Sequence, residues 1–512
     1  MSKDEIMTNT IDHRLAGFVL PAGIEPFAGV TARAPHLSCR EEKHGRKLVK
    51  SLEDAIRASG LKNGMTISFH HAFREGDQTI NTVVAKLAEM GFRDLTLAPS
   101  SLLSCNFPLI EHIKSGAIRR IFTSGMRGQL ADAISHGLME EPIHIHSHGG
   151  RVHLMDRGEL AIDVAFLSVS RADSFGNGNA VTGRSRCGSL GYAMVDAARA
   201  KTVVLLAEEI VPYPNAPASI RQDQVDFVVK VDQIGDPAKI SVGAARITSN
   251  PRELLIARLG ADVMEHAGYF EDGFSMQTGT GGSATATARF LEQKMRRKGI
   301  TAGFALGGIT GSIVDLHQKG LVRRILDTQS FDAVAAESLA TNREHIEIST
   351  NVYANLTSKG AAVDRVDMVI LSALEIDLDF NVNVITGSDG VMRGASGGHS
   401  DTAAGAALSI VVAPLIRSRI PTVVEKCTTV VTPGETVGVL VTDHGIAVNP
   451  NRPDVADRLK AAGLPVTTIE DLHARVTALV GTPRPIEFLD RVVGVVRYRD
   501  GSVVDVVRQP KA

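Results

Sequence analysis

The 512-residue chain has little of what marks several common classes of protein. It has no tryptophan and only 4% aromatic residues, so it lacks the stacking side chains that bind single-stranded nucleic acid. Its four cysteines have no C-x-x-C spacing, which argues against both a disulfide framework and a zinc ribbon. The net charge of −2, with both signs interspersed, gives no overall field that favours DNA or a membrane surface.

Long apolar segments are also missing. No apolar run reaches the roughly 18 residues that a membrane-spanning helix needs. The first ten residues, MSKDEIMTNT, are polar and do not resemble a secretory signal. We therefore expect a cytoplasmic chain whose partners are small molecules or proteins, with neither nucleic acid nor membrane among them.

Alternating strand and helix patterns dominate what is present. Residues 51–58 predict a helix, 64–69 a strand and 82–90 an amphipathic helix, and the next strand begins at Asp94. Such alternation predicts an α/β fold with mostly parallel sheets flanked by helices. A chain of this length exceeds one ordinary core and predicts two domains of roughly 200 to 250 residues.

The second half of the chain repeats the first. The segment IDVAFLSVSRADSFGNGNAVTG (162–183) aligns without a gap on VDMVILSALEIDLDFNVNVITG (366–387), with 8 of 22 positions identical at an offset of 204. GAIRRI (116–121) and GLVRRI (320–325) share that offset, and TVV at 202 and at 422 extends the match after an insertion. Valine-rich strands explain the apolar matches but not paired Asp, Asn and Gly, so we infer an internal duplication.

The duplication suggests a division of the chain. We predict an N-terminal arm over 1–45, a first domain over 46–250 and a second domain over 251–512. The second ends in a β-hairpin, since residues 492–509 alternate on both sides of an Asp-Gly turn. A crevice between the two halves is the expected place for a ligand.

Two glycine-rich turns are candidates for chemistry. GTGG (279–282) follows a predicted strand and opens a helix, so its backbone amides suit an oxyanion hole or a phosphate cradle, with a tight turn as the alternative. GASGGHSDTAAGA (394–406) is similar and adds His399, which can orient a carboxylate or donate to an oxyanion. Asp401 in the same turn is an equally good helix cap.

Two histidine-rich segments lie in the first half. FHHAFREGD (69–77) follows the first predicted strand, where His70, His71 and Arg74 would form a pocket for a polycarboxylate, unless they are a solvated basic loop. HIHSHGGRVH (144–153) spaces histidines like metal ligands, but no HExxH motif or carboxylate-rich segment accompanies it, so we expect no metal site.

Together these segments resemble a known family. DVAFLSVSRADSFGN, GTGG, GSIVDLHQKGLV and ASGGH are similar to the blocks of CoA transferases. FHHAFREGD, HSHGGRVH and GFALGGITGS resemble, more narrowly, the alpha chains of citrate lyase. The resemblance implies two tandem homologous CoA-transferase-like (NagB/RpiA-like) domains.

The resemblance also implies a reaction and its partners. Citrate would displace acetate from an acetyl thioester on an acyl-carrier (gamma) subunit, and a lyase (beta) subunit would then cleave the citryl thioester. No cofactor would be bound covalently, because the thioester belongs to the phosphoribosyl-dephospho-CoA arm of the carrier or to CoA itself. The alpha chain would act as a homo-oligomer.

One departure from CoA transferases bears on the mechanism. Many of them carry a glutamate between the GTGG turn and the VDL helix that forms a covalent thioester. Residues 302–314, AGFALGGITGSIV, contain no carboxylate. The resemblance therefore implies transfer within a ternary complex, through a mixed anhydride.

Other functions stay open at this level. They are a transferase or thioester hydrolase acting on another acid such as citramalate, a non-catalytic scaffold that docks a carrier protein, and a metal hydrolase using His144, His146 and His148.

The candidate catalytic residues are Gly279, Gly281, Gly282, Gly397, Gly398 and His399. The candidate substrate-binding residues are His70, His71, Arg74, Asn177, Asn179 and Arg184.

Overall fold

The computed structural model describes residues 47–240, 248–279 and 281–511. The predicted arm over 1–45 and Thr280 of the GTGG turn lie outside these ranges. From Lys47 onward the chain packs as one unit, so the two halves predicted from the duplication share a junction.

The first half alternates strands and helices. Its helices pack on a mostly parallel sheet, as the sequence predicts. In chain order the elements are β1 (Leu48–Val49), α1 (Leu52–Ala58), β2 (Thr66–Phe69), α2 (Thr79–Glu89), β3 (Leu95–Pro99), α3 (Leu109–Lys114), β4 (Ile118–Thr123), α4 (Gly128–Ser135), β5 (Ile143–His146), α5 (His148–Asp156), β6 (Val164–Asp173), β7 (Gly178–Asn179), α6 (Gly191–Arg199), β8 (Thr202–Val211), β9 (Phe227–Lys230) and α7 (Pro237–Ile240).

The second half follows the same plan and ends in two long strands. Its elements are α8 (Pro251–His266), β10 (Ser275–Thr278), α9 (Gly282–Lys298), β11 (Ala302–Ile309), α10 (Gly311–Gln318), β12 (Val322–Ser330), α11 (Ala333–Thr341), β13 (His345–Glu347), α12 (Thr350–Ala354), β14 (Met368–Ser372), β15 (Glu375–Asp377), β16 (Val382–Asn383), α13 (His399–Gly405), β17 (Leu408–Val412), β18 (Ile416–Arg417), β19 (Ile420–Pro421), β20 (Val423–Val424), β21 (Val439–Thr442), β22 (Gly445–Val448), α14 (Pro453–Ala461), β23 (Val466–Thr467), α15 (Ile469–Val480), β24 (Phe488–Arg497) and β25 (Val503–Pro510).

The strand order shows the duplication directly. In the first sheet the strands run β9-β8-β6-β2-β3-β4-β5, and in the second they run β21-β17-β14-β10-β11-β12-β13. The parallel pairs occupy the same places in both sheets, with β6 between β8 and β2, and β14 between β17 and β10. The α/β fold with mostly parallel sheets is therefore confirmed.

Two sequence interpretations differ from the structure. The TVV at 202 begins β8, but the TVV at 422 leads into β20, which pairs with β15 in a small separate sheet. The second-half equivalent of β8 is β17, so this part of the alignment is wrong because valine-rich strand ends look alike. The C-terminal hairpin, assigned by position to the second domain, instead extends the first sheet through β24 beside β5.

Burial explains why these segments form strands. Every residue of β3 and β17 is buried, as expected for strands covered by helices on both faces. Local signals set the helix ends: Ser51 caps α1 by accepting a hydrogen bond from the Asp54 amide, and Gly299 ends α9 in a left-handed conformation. Among the described residues, no helix combines the length and apolarity needed to cross a membrane.

Candidate functional site

Equivalent strands lead into different motifs at the junction of the halves. Strand β2 ends at Phe69 and continues into His70 and His71, while β10 ends at Thr278 and continues into the GTGG turn. Ligands of parallel α/β sheets bind beyond the carboxyl ends of the strands. Both motifs therefore begin where the topology expects a site.

His71, His148 and Tyr192 form an aromatic polar cluster at the end of β2. The His71 ring centroid lies 4.7 Å from that of Tyr192 and 5.8 Å from that of His148. The rings of His148 and Tyr192 are 4.6 Å apart. Nδ1 of His71 pairs with Ser100 Oγ at 2.6 Å, which orients the ring toward the other two members.

Arg74 supplies the positive charge beside this cluster. Its guanidinium lies 4.1 Å from the ring centroid of Phe331, which belongs to the second half. Its Nε and Nη2 are buried and find no hydrogen-bond partner among the described residues. A guanidinium stacked on a ring keeps its in-plane donors free for a carboxylate.

The histidines beside Arg74 are held neutral. Burial, followed by the nearby His148 and Arg74, lowers the pKa of His71 well below its usual range. Burial also lowers the pKa of Arg74, to about 10, which still leaves it charged near neutral pH. The cluster thus combines one fixed positive charge with neutral donors, a set that suits an anionic carboxylate.

The SGGH turn of the second half closes over the first half. The Ser396 amide donates to the carbonyl of Ser124 at 2.7 Å, and the Gly397 carbonyl accepts from the His148 amide at 2.8 Å. A Cβ on Gly398 would stand 2.4 Å from Tyr353 Oη, so only glycine fits there. The turn therefore lies directly beside the His71–His148–Tyr192 cluster.

The GTGG turn meets the SGGH turn at Ser372, the last residue of β14. A Cβ on Gly281 would lie 2.3 Å from Ser372 Oγ, and His399 Nε2 donates to the Ser372 carbonyl at 2.9 Å. Gly279 donates its amide to the Ile370 carbonyl at 2.8 Å. The structure thus brings the two predicted turns together.

A carboxylate missed in the sequence faces the GTGG turn. Oε2 of Glu253, on α8, lies 2.5 Å from the position that a Cβ on Gly282 would take. Gly282 is the first residue of the 17-residue helix α9, whose amino end carries a partial positive charge. Glu253 therefore already offsets part of the charge that would favour a bound anion there.

Two predicted site histidines are occupied by the scaffold. Nε2 of His70 donates to the Ser168 carbonyl at 2.9 Å, as Nε2 of His399 does to that of Ser372. Ser168 of β6 and Ser372 of β14 are 204 residues apart, so the two histidines support equivalent positions of the repeated strand. Their remaining nitrogens are also used, by the Ala72 amide and the Thr432 hydroxyl.

Asn177, Asn179 and Arg184 lie in and after the β6–β7 turn. Asn177 donates to Asp173 at 2.8 Å, and Asn179 donates to the Pro217 carbonyl at 2.7 Å. Arg184 is exposed and pairs with Glu208 at 3.1 Å. These contacts stabilise the turn, and a role for the three residues in binding substrate stays a prediction.

Residues that the sequence interpretation missed complete the junction. Tyr192 is the second residue of a helix that opens at the end of GSLG, much as His399 begins one after SGG, and this likeness was the available signal. Phe331 and Gln329, at the end of β12, have no such signal, although Gln329 donates to the His71 carbonyl at 3.4 Å. In the described ranges, no group of three or more His, Cys, Asp and Glu could hold a metal ion.

The carboxylate-free interval 302–314 lies at the same junction. Strand β11 has a register irregularity at Gly307 and Gly308. A Cβ on Gly308 would be 2.0 Å from the Phe331 ring, so no side chain fits at that position. Beyond it, a groove of about 720 Å³ opens between α9, α10 and α11, lined in part by Thr285, Arg289 and Thr310.

Comparison with known proteins agrees with this architecture. The family model described as citrate lyase, alpha subunit (CitF) matches residues 45–510. The citrate lyase alpha chain of Klebsiella pneumoniae is 67% identical over 96% of this chain and 97% of the relative, and that of Escherichia coli K12 is 64% identical over 92% of each.

Solved structures give the same result. A Streptococcus mutans protein, named for the alpha subunit of citrate lyase and crystallised with citrate, has a TM-score of 0.91 and 50% identity, over 94% of this chain and 93% of that one. A Pseudomonas malonate decarboxylase chain, at 16% identity over 85% and 86% of the two chains, has a TM-score of 0.64 and supports the predicted CoA-transferase-like fold alone. The chain belongs to the citrate lyase alpha-subunit family.

Proposed function

We propose that this chain exchanges the acyl group of a carrier thioester, releasing acetate from an acetyl thioester as citrate takes its place. The observation that carries the proposal is the guanidinium of Arg74, whose buried Nε and Nη2 have no hydrogen-bond partner among the described residues and lie beside neutral His71. A carboxylate is one of the anions that such a group binds through paired hydrogen bonds. The citrate named with the Streptococcus mutans relative supports the choice of acid.

The first step joins the acid to the thioester. A carboxylate oxygen of citrate attacks the acetyl carbonyl carbon, and the C–S bond breaks to leave a mixed anhydride and a thiolate. The thiolate then attacks the citryl carbonyl carbon of the anhydride. The bond between that carbon and the bridging oxygen breaks, so acetate leaves and the citryl thioester remains. Holding both substrates together replaces a bimolecular encounter by a positioned reaction.

The glycine turns provide for the charge that develops on the carbonyl oxygen. The first amides of a helix have no partner within that helix, and both turns end at a helix start. Preorganised amides lower the barrier through the oxyanion of each tetrahedral intermediate. Because Glu253 faces α9, we assign the larger share of this role to the SGGH turn, which lies beside His148.

We propose a ternary complex without a glutamyl thioester. Residues 302–314 contain no carboxylate, and the packing of Gly308 on Phe331 leaves no room for one at that position. A mixed anhydride hydrolyses readily, so the junction must exclude water while it exists. Burial of the His71–His148–Tyr192 cluster between the halves supports this requirement.

The carrier thioester is a substrate brought by a partner. We propose that the phosphoribosyl-dephospho-CoA arm of a gamma subunit, or CoA itself, enters through the groove between α9 and α10. The groove runs from Thr310 to the exposed Arg289, a cation available to a phosphate. A beta subunit would cleave the citryl thioester, and a homo-oligomeric state stays a prediction.

Steady-state kinetics test the reaction and its order. The purified chain is given acetyl-CoA labelled in the acetyl group, with citrate, citramalate or no acid. We expect citryl-CoA and labelled acetate with citrate, and double-reciprocal plots that intersect, as a ternary complex requires. Labelled acetate at the same rate without any acid would indicate a hydrolase and overturn the proposal. Parallel plots, with an acyl or CoA adduct on Glu253 by mass spectrometry, would overturn the non-covalent route.

A further inference from the structure

His148 occupies the point where the two halves meet around the candidate site. It is the first residue of α5, and its amide donates to the Gly397 carbonyl of the SGGH turn. Its ring contacts His71 and Tyr192 on the other side. Nε2 lies 3.5 Å from the position that a Cβ on Gly397 would take, and Nδ1 is buried without a hydrogen-bond partner among the described residues.

The opposite half holds His148 in place. Asp401 of α13 accepts a hydrogen bond from Ser147 Oγ at 2.7 Å and another from the Gly149 amide at 2.9 Å. These two donors flank His148 in the chain. Because Asp401 of the second half binds the residues on both sides of His148, the ring is held more firmly than it would be at an exposed helix end.

Burial and the neighbouring Arg151 keep the ring of His148 neutral. Burial, followed by Arg151 one turn along α5, lowers the pKa of His148 to about 3. Arg151 is itself paired with Asp196 at 2.8 Å, and Asp401 is engaged by Ser147 and Gly149. His71 and Tyr192, which face the ring, are uncharged near neutral pH because burial lowers the pKa of His71 and raises that of Tyr192.

We propose that His148 is a substrate-binding residue whose imidazole donates a hydrogen bond to a carboxylate of the bound acid, opposite Arg74. The inference rests on the proposed function, because it names a further contact of that same acid site. A neutral imidazole has one N–H donor and one acceptor. Its place beside Gly397 lets it link the carboxylate to the turn that would stabilise the oxyanion.

Two substitutions separate a polar contact from packing. His148→Leu keeps much of the volume and removes the donor, whereas His148→Gln keeps an N–H at similar reach. We expect the dissociation constant for citrate, measured calorimetrically on the full chain, to rise at least about tenfold in the leucine variant, equal to about 1.4 kcal/mol. In the glutamine variant it should rise by no more than about threefold.

His144→Leu is the matched control. His144 lies four residues earlier, on β5, half-buried against Phe122 at a centroid distance of 4.3 Å, and its citrate affinity should equal that of the wild type. Equal affinities for His148→Leu and the wild type, or equal losses for leucine and glutamine, would overturn the inference. A wild-type chain that binds no citrate would instead overturn the proposed function.

Nuclear magnetic resonance covers the case in which His148→Leu does not fold. In the wild-type chain labelled with ¹⁵N-histidine, and with resonances assigned through His148→Gln and His144→Gln, citrate should shift the imidazole signals of His148 and leave those of His144 in place. An unchanged His148 signal at saturating citrate, with heat of binding still observed, would overturn the inference alone.

Discussion

The end of β2 and the end of β10 occupy the same place in two copies of one fold, yet they carry opposite kinds of group. After β2 come His71 and Arg74, side chains that offer donors and a positive charge. After β10 comes GTGG, whose three glycines offer only backbone. The difference supports our proposal that duplication kept the sheet and divided the work at its edge, with the acid bound through side chains of one half and the thioester approached by amides of the other.

A second comparison marks which residues stayed with the scaffold. His70 and His399 lie at different places in the two halves, but each donates to the carbonyl of a serine at the same position of the repeated strand, Ser168 and Ser372. Nδ1 of His148 is buried without a hydrogen-bond partner among the described residues, and its ring lies beside that of His71 at the junction. His70 and His399 are thus engaged by the scaffold, whereas His71 and His148 lie in the proposed site.

A variant of Arg74 gives the strongest test of the proposed difference between the two halves. Arg74→Met keeps the side-chain length and removes the charge that should hold the citrate carboxylate. Losing a buried charged contact costs about 3 to 4 kcal/mol, so we expect kcat/KM for citrate to fall by two to three orders of magnitude. Methionine also meets the same backbone strain as arginine at φ 54°, which glycine would relieve.

The control for this variant is Arg93→Met. Arg93 is exposed in the same half and donates to the Phe92 carbonyl, so its loss should change kcat/KM by less than about twofold. Arg74→Lys should recover only part of the activity, because an ammonium lacks the planar fork of donors. Citrate kinetics in Arg74→Met within fivefold of the wild type would place the acid elsewhere.

His70 and His399 sharpen the comparison through pH. Burial lowers the pKa of each to about 4, below the ordinary 6.5. Between pH 6.5 and 4 the unfolded chain therefore binds more protons than the folded chain, and stability falls as pH falls. Each histidine should account for about 2 kcal/mol of the loss between pH 7 and pH 5.

Urea unfolding of His70→Gln, His399→Gln and the double variant checks this pH effect. All three should be less stable than the wild type at pH 7, because a strand carbonyl loses its donor. Their midpoints should nevertheless fall less steeply toward pH 5, with the double variant falling least. Single variants whose midpoints fall as steeply as that of the wild type would show that these rings are not held neutral by the fold.

Much of the fold and part of the site could be predicted from the sequence, for different reasons. The repeat at 162–183 and 366–387 predicts two similar sheets, because Asp173 and Asp377 cap the same turn in each copy. The position of His71 and Arg74 directly after β2 predicts that they lie in the candidate site, because parallel strands end at one edge of a sheet.

What could not be predicted depends on contacts between distant segments. His70 and His71 are adjacent in the sequence, and only the position of Ser168 shows that the first is engaged by backbone. Phe331 reaches Arg74 across the junction, and Glu253 reaches Gly282 from the preceding helix. The C-terminal hairpin pairs with the first sheet, through β24 beside β5. Alternation in the sequence predicts its strands but not the sheet edge on which they pair.

Asn177 gives the finest test, because the structure provides its own matched partner 204 residues away. Asn177 donates to Asp173 at 2.8 Å, and Asn381 donates to Asp377 at 3.2 Å, so each stabilises the turn after its strand. We expect Asn177→Ala and Asn381→Ala each to lower the free energy of unfolding by about 1 kcal/mol, measured from urea midpoints. Their citrate affinities should fall equally or not at all, because neither turn contributes a member of the His71–His148–Tyr192 cluster. A loss of citrate affinity confined to Asn177→Ala would show that Asn177 contributes to the acid site, which would then extend to the β6–β7 turn.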